Sequence, residues 1–167
     1  MDQGILVARL IIGLLMAAHG SQKAFGWFGG YGLAGTGGFF EGLGFRPGRP
    51  FAAAAAYGEL VSGLLVVLGF LGPVGPALML SVMIVAAVSA HGKNGLFATS
   101  NGIEVPLLYA TVATALALTG PGRISLDTLL GLASFWTPTL SWAALAVGIV
   151  GAIGNLAIRR APVASRA

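Results

Sequence analysis

The stretch FAAAAAYGELVSGLLVVLGFL, Phe51–Leu71, is apolar or small throughout except for one charged residue, Glu59, near its middle. As a helix it is about 32 Å long, enough to cross a hydrocarbon core of about 30 Å. A carboxylate at that depth costs on the order of 3 kcal/mol or more. A membrane protein keeps such a group when it has a partner, a proton or a job. The reading of the rest of the chain turns on which of these applies.

The whole chain has the composition of a membrane protein. Of its 167 residues 56% are hydrophobic and 8% charged, and mean hydropathy is +0.90. Soluble domains carry about 25% charged residues, so a water-soluble fold is excluded. The pI near 10.1 does not point to nucleic acid, because no basic cluster exists outside the C-terminal tail. There is no cysteine, which removes thiol redox chemistry, disulfides, iron–sulfur ligation and thiolate metal sites. Met1–Gly4 has no basic residue and Arg9 interrupts the following apolar run, so the pattern does not predict a cleavable signal.

Five apolar segments predict membrane-crossing helices: Gly4–Lys23, Phe51–Leu71, Val74–His91, Ile103–Thr119 and Thr139–Ile158. Backbone groups in lipid must be satisfied within the segment, and the alternation of a membrane barrel is absent, so the expected fold class is all-α. The expectation is a four-helix membrane bundle over residues 1–130, an additional C-terminal membrane helix over 131–158 and a basic tail over 159–167. Between the first two helices lies a Gly- and aromatic-rich stretch, 24–50, with five Phe, one Trp and one Tyr. It is read as a segment packed at the interface, with a short helix around Phe39, Phe40, Leu43 and Phe45 started by Thr36.

With five alternating spans, the N-terminus, the Gly72 turn and Arg123–Pro138 share a first side. Lys23, Arg46, Arg49, Lys93 and the tail share the second. Two Lys/Arg against seven would make the second side cytoplasmic. Arg9 is expected to snorkel outward. A dip of Asp127–Pro138 into the membrane would move the tail to the other side.

The same alternation gathers polar residues at the second side. His19 and Lys23 share a helix face. Glu59 lies about two turns, roughly 12 Å, into its helix. His91 closes the third helix, and Asn101 and Glu104 open the fourth. These six form the candidate polar or proton site, with Lys23 and His19 as the candidate partners of Glu59. Each of the others could equally be an ordinary interfacial residue. His19-Gly20 and His91-Gly92 form a faint echo, as two parallel repeats would. No metal is expected, since no pair of ligands has local metal-binding spacing. In Gly120-Pro121-Gly122-Arg123-Ile124-Ser125-Leu126-Asp127 the glycines and proline stop a helix. Ser125 can cap a restart, and Arg123 can pair with Asp127. Ala144, Gly148 and Ala152 form a small-residue stripe on the last helix, with Trp136 and Trp142 as interface anchors.

Arg9, Gly13, His19, Gly20 and Lys23 in the first helix are followed by Glu59, Gly63 and Gly69 in the second. Then come Asn101, Gly102 and Glu104, and last Gly120 to Arg123, Ser125 and Asp127. In this order they resemble the DoxX family of small bacterial membrane proteins over about residues 5–130. The resemblance implies a four-helix bundle in the bacterial inner membrane. Some relatives are the small membrane subunit of a thiosulfate:quinone oxidoreductase, and others belong to oxidative-stress complexes. Four-span relatives are drawn with both termini cytoplasmic, opposite to the charge bias here.

Three functions stay open on the sequence. One is a non-catalytic or quinone-associated subunit of a membrane redox complex, with no covalently bound cofactor and a membrane or peripheral redox enzyme as partner. Another is a small proton-coupled permease or lipophile-binding protein. The last is a membrane scaffold without chemistry.

Overall fold

A computed structural model of the chain describes residues 1–160; Arg166 and the other tail residues after Arg160 lie outside the described residues. Seven helices follow one another: α1 (Asp2–Phe25), α2 (Gly32–Gly42), α3 (Gly48–Leu68), α4 (Val74–Ala86), α5 (Glu104–Thr119), α6 (Leu126–Leu129) and α7 (Pro138–Ala157). Beyond α4 the helix continues through a wide π turn, Ala87–His91, and a tight turn, Gly92–Asn94. The described residues contain no strand.

Four helices are long and apolar enough to cross a membrane: Asp2–Phe25, Gly48–Leu68, Val74–Asn94 and Pro138–Ala157. The fifth apolar helix, Glu104–Thr119, has 16 residues, about 24 Å by helical rise. It is shorter than the other four because the preceding loop is pinned back. Ile103 N–H donates to Gly95 O at 3.1 Å and Glu104 N–H to Leu96 O at 2.8 Å.

The first two long helices pack backbone against backbone. A Cβ on Gly20 would lie 2.6 Å from Ala56 O, and one on Gly63 would lie 2.6 Å from Gly13 O. Ala52 and Ala56 are fully buried in the same seam. In lipid the hydrophobic effect does not drive helices together, so close packing of this kind carries the association. The rest of the core is Met16, Val66, Met79, Leu80, Met83, Tyr109, Ala113, Leu116 and Leu145, from α1, α3, α4, α5 and α7.

α7 lies on the flank of α4. Its buried stripe is Ser141, Leu145, Gly148 and Ala152, so Gly148 and Ala152 are on the seam and the expected Ala144 sits at its edge. Thr137 caps α7 by accepting from Leu140 N–H at 3.3 Å, with Pro138 in the first turn. The helix ends beside the α2–α3 connection, where Arg160 N–H donates to Gly44 O at 2.9 Å. Residues 127–138 do not cross to that side. The Asp127 carboxylate accepts from Leu71 N–H at 3.0 Å and Gly72 N–H at 2.6 Å, which holds the segment at the first side.

The glycine-rich stretch holds a short helix, which includes Phe39 and Phe40 and ends before Leu43 and Phe45. α2 begins at Gly32 after Tyr31, and Thr36 is buried inside it instead of capping it. The reason is packing on α3. Gly37 lies so close to Arg49 that a Cβ there would be 3.2 Å from the Arg49 Cα. Glu41 accepts from Gly48 N–H at 3.0 Å and closes the α2–α3 turn.

Candidate functional site

α3 begins three residues earlier than the apolar run, so Glu59 stands about three turns, roughly 16 Å, into the helix. It is 2% exposed. Gly20 lets α1 and α3 approach closely, and one turn further along α1 the Lys23 ammonium forms an ion pair with Glu59 Oε1. Lys23 is 30% exposed, so the cation keeps contact with the second side while the carboxylate does not. Glu59 Oε2 is buried and has no hydrogen-bond partner. Ser62, one turn on, donates to the Glu59 backbone carbonyl at 3.1 Å and does not relieve the carboxylate.

Glu59 and Lys23 line a cavity of about 280 Å³ beneath α2, between α3 and α4. Its walls are mainly apolar, with Phe39, Phe40, Val82 and Val85, and its polar rim includes His91 and Asn101. Lys23 and Phe39 also line a wider opening of about 570 Å³ under Gly29–Gly35. On its other flank the Glu59 cavity adjoins a third of about 220 Å³, which shares Phe40, Ala55, Val82 and Val85 and reaches Gly151 and Asn155 on α7. Small pockets for ligands begin at roughly 300 Å³ and are mostly apolar with a few convergent polar groups. The Glu59 cavity has that character.

His91 sits on the π turn that ends α4, a distortion that recurs at functional sites. Its Nδ1 is 2.9 Å from Asn101 O. A carbonyl only accepts, so Nδ1 carries the hydrogen and Nε2 of the neutral ring is left as an acceptor. Asn94 also donates to Asn101 O, at 3.1 Å.

Two of the six candidates are elsewhere. His19 is exposed; its Nδ1 pairs with Gln22 Oε1 at 3.2 Å and its ring meets Tyr109 edge-on at 6.1 Å. One helical turn separates His19 from Lys23, but the helix has rotated enough to leave the imidazole outside. Glu104 accepts from Ala98 N–H at 2.7 Å and closes the loop before α5. The echo between the two His-Gly pairs therefore has no counterpart in placement. Among the described residues no three His, Cys, Asp or Glu side chains converge as metal ligands would.

The five acidic residues sort by partner. Asp2 accepts from Arg123 N–H at 2.9 Å, and Glu41, Glu104 and Asp127 likewise accept backbone amides at turns. Among the described residues Glu59 is the acidic side chain paired with a side-chain cation, and its Oε2 is the buried carboxylate oxygen without a hydrogen-bond partner.

The DoxX family model matches residues 4–92. The chain belongs to the DoxX family. The matched region runs from α1 to the end of the π turn and holds Lys23, Glu59 and His91, and it stops before Asn101 and Glu104. An uncharacterized protein of Haemophilus influenzae (strain ATCC 51907 / DSM 11121 / KW20 / Rd) is 36% identical over 85 residues, 50% of this chain and 54% of its own length. The chain thus spans about half the length of that relative. No solved structure matches it.

At the opposite end, this DoxX-family chain departs from two sequence expectations. Arg9 does not snorkel; it is 3% exposed. Its guanidinium donates to Val66 O at 2.9 Å, Val67 O at 2.8 Å, Pro121 O at 2.6 Å and Ile124 O at 2.8 Å. Arg123 does not pair with Asp127: Arg123 is exposed, and Asp127 is fully buried against the Leu71–Gly72 amides. Ser125 caps α6 as expected, accepting from Thr128 N–H at 3.2 Å. Trp136 packs over Gly72, with its indole Nε1 buried and unpartnered. Trp142 is 60% exposed, as an interfacial anchor is.

Sequence reasoning missed the C-terminal carbonyls of α3 as the destination of Arg9. The signal was available: helix ends leave carbonyls without intrahelical donors, and Gly69, which ends α3 with a φ of 61°, leaves room for the guanidinium beside it.

Proposed function

We propose that this DoxX-family protein is a quinone-associated subunit of a redox complex in the bacterial inner membrane, with its second side toward the cytoplasm. Residues 1–130 form the working bundle in this reading, and α7 is an appended span. The observation that carries it is the unpartnered Glu59 Oε2 in a carboxylate that lines an apolar cavity under α2.

The residues present fit a lipophilic ring with oxygen substituents. Phe39, Phe40, Val82 and Val85 offer apolar and aromatic surface for the ring, and the adjoining space toward α7 extends it for a short tail. Lys23, Glu59 and His91 offer polar groups at the head. A bound quinone supplies a reversible two-electron, two-proton couple. The chain has no cysteine and no motif for haem or flavin, so a partner enzyme carries the electrons to or from that couple. The chain's own part is to bind the head group, exclude lipid from it and offer the Glu59 carboxylate as the acceptor of a head-group proton. Lys23 serves by fixing Glu59 Oε1 and, through the wider opening it also lines, by linking the site to the second side.

The test is extraction. Protein purified from native membranes in mild detergent is expected to yield a quinone on organic extraction, together with a flavoprotein or other quinone-reactive enzyme. Ala86→Trp, which fills the cavity, is expected to lose the quinone while keeping the fold. A protein that is quinone-free, binds none on addition and brings down no redox enzyme overturns the reading.

A further inference from the structure

The polar groups around the Glu59 cavity are unequal in kind. Glu59 Oε2 can only accept from a ligand while the carboxylate is ionised against Lys23, and it has no donor within the protein. His91 has its Nδ1 hydrogen engaged with Asn101 O at 2.9 Å, which leaves Nε2 as a second acceptor. Asn101, which also lines the cavity, has its backbone carbonyl taken by His91 and Asn94, and its side-chain amide, which can donate as well as accept, belongs to an exposed residue at the rim. Ser89, buried at the cavity wall, donates its hydroxyl hydrogen to Val85 O at 2.6 Å. Lys23 brings donors, but one is engaged with Glu59 Oε1 and the ammonium also faces the wider opening toward the second side.

From this we infer that the site is built for a hydrogen-bond-donating head group: an amphiphile with aromatic hydroxyls, which for a quinone means its reduced, dihydroxy form. The inference rests on the lipophile reading above and adds a preference to it. A carbonyl head group would set its lone pairs against those of Glu59 Oε2 and His91 Nε2. A hydroxyl head group satisfies the carboxylate oxygen that the protein leaves bare. An unsatisfied buried acceptor is costly and a hydrogen bond to a charged group is strong, so the difference between the two heads should be large.

Three probes of one skeleton decide it: a short-chain alkyl hydroquinone, the matching quinone, and the hydroquinone with both hydroxyls methylated. Each is titrated anaerobically into the full chain in nanodiscs, and binding is read by calorimetry. The hydroquinone is expected to bind about tenfold or more tighter than the other two, the worth of one hydrogen bond to a charged acceptor. Glu59→Gln is expected to weaken the hydroquinone by about tenfold and to move the quinone by less than about threefold. Should that variant fail to fold, His91→Phe keeps the Lys23–Glu59 pair and is expected to weaken the hydroquinone selectively. Equal binding of hydroquinone and quinone, abolished by Ala86→Trp, leaves the lipophile reading standing and overturns the donor preference. Unchanged hydroquinone affinity in both Glu59→Gln and His91→Phe also overturns the preference. Binding of none of the three overturns the preference and the lipophile reading together.

Discussion

At the first-side end of the bundle, Arg9 donates to four carbonyls from α3 and the segment before α6, and Asp127 accepts two amides from the α3–α4 turn. At the second-side end, Glu59 takes one cation and leaves an oxygen bare, beside a cavity of about 280 Å³. Each end buries ionisable groups where lipid makes burial expensive. Arg9 and Asp127 work as local crosslinks, each tying main-chain groups of separate segments together. Glu59 ties α3 to α1 with half its capacity, and its second oxygen is buried without a donor. The difference teaches that depth alone does not distinguish buried carboxylates; what sets Glu59 apart is its unfilled acceptor.

The comparison breaks most directly at Arg9. Arg9→Met keeps the length of the stem and removes every donor, so the carbonyls of Val66, Val67, Pro121 and Ile124 lose their partners in a buried site. Removing donors from several buried acceptors should cost about 3 kcal/mol or more. The expected outcome is a protein that aggregates or unfolds early in detergent, read by size-exclusion and by thermal unfolding. Normal thermal stability would mean the first-side network is not a crosslink. Asp127→Asn is the milder form. An amide has one acceptor oxygen and cannot serve both Leu71 and Gly72, so a loss of about 1–2 kcal/mol is expected, with the α3–α4 turn becoming accessible to protease.

Much of this architecture was legible in the residues. Five apolar runs bounded by Pro and Gly located α1, α3, α4, α5 and α7, because lipid leaves helices as the only way to satisfy the backbone of such runs. The Lys23–Glu59 pair was legible in part, since a carboxylate in the middle of an apolar run pointed to Lys23, His19 or a proton as its companion. What a single chain's pattern does not contain is rotation. His19 and Lys23 are four apart, and the small angular offset between them puts one outside and the other at Glu59. Backbone partners were equally invisible: Arg9, expected to snorkel, donates to main-chain carbonyls, and Glu104 and Asp127, read in sequence with side-chain companions, accept main-chain amides. The start of α2 at Gly32 rather than Thr36 has the same cause, tertiary packing of Gly37 on α3 outweighing local capping preference.

At the second side the larger effect should come from the cation. Lys23→Met strands the Glu59 carboxylate beside α1 with neither oxygen paired, and breaking a buried pair from one side is more damaging than removing both partners. The double variant Lys23→Met with Glu59→Leu is therefore expected to unfold at a higher temperature than Lys23→Met alone. Equal or lower stability of the double variant would mean that Glu59 is hydrated through the cavity and does not need its cation. Glu59→Gln should do less to the fold than either, within about 1 kcal/mol, because its oxygen can still accept from Lys23 and its amide takes the place of an oxygen that already has no partner. Normal accumulation in the membrane with loss of ligand is the expected signature.

His19→Ala completes the comparison at its smallest expected effect. His19 was the other sequence candidate for pairing with Glu59, and an imidazole within reach of that carboxylate could not be removed without cost. In the fold it is exposed, bonded to Gln22 on its own helix and touching Tyr109 only ring edge to ring face. Substitutions at such positions usually fall within about 0.5 kcal/mol of neutral. His19→Ala should therefore leave thermal stability, accumulation and ligand retention unchanged, in the same assays that register Lys23→Met and Glu59→Gln. A loss of ligand retention comparable to that of Glu59→Gln would place the imidazole in the second-side site after all, through a rotation of α1. The acceptor count around the cavity would then have to include it.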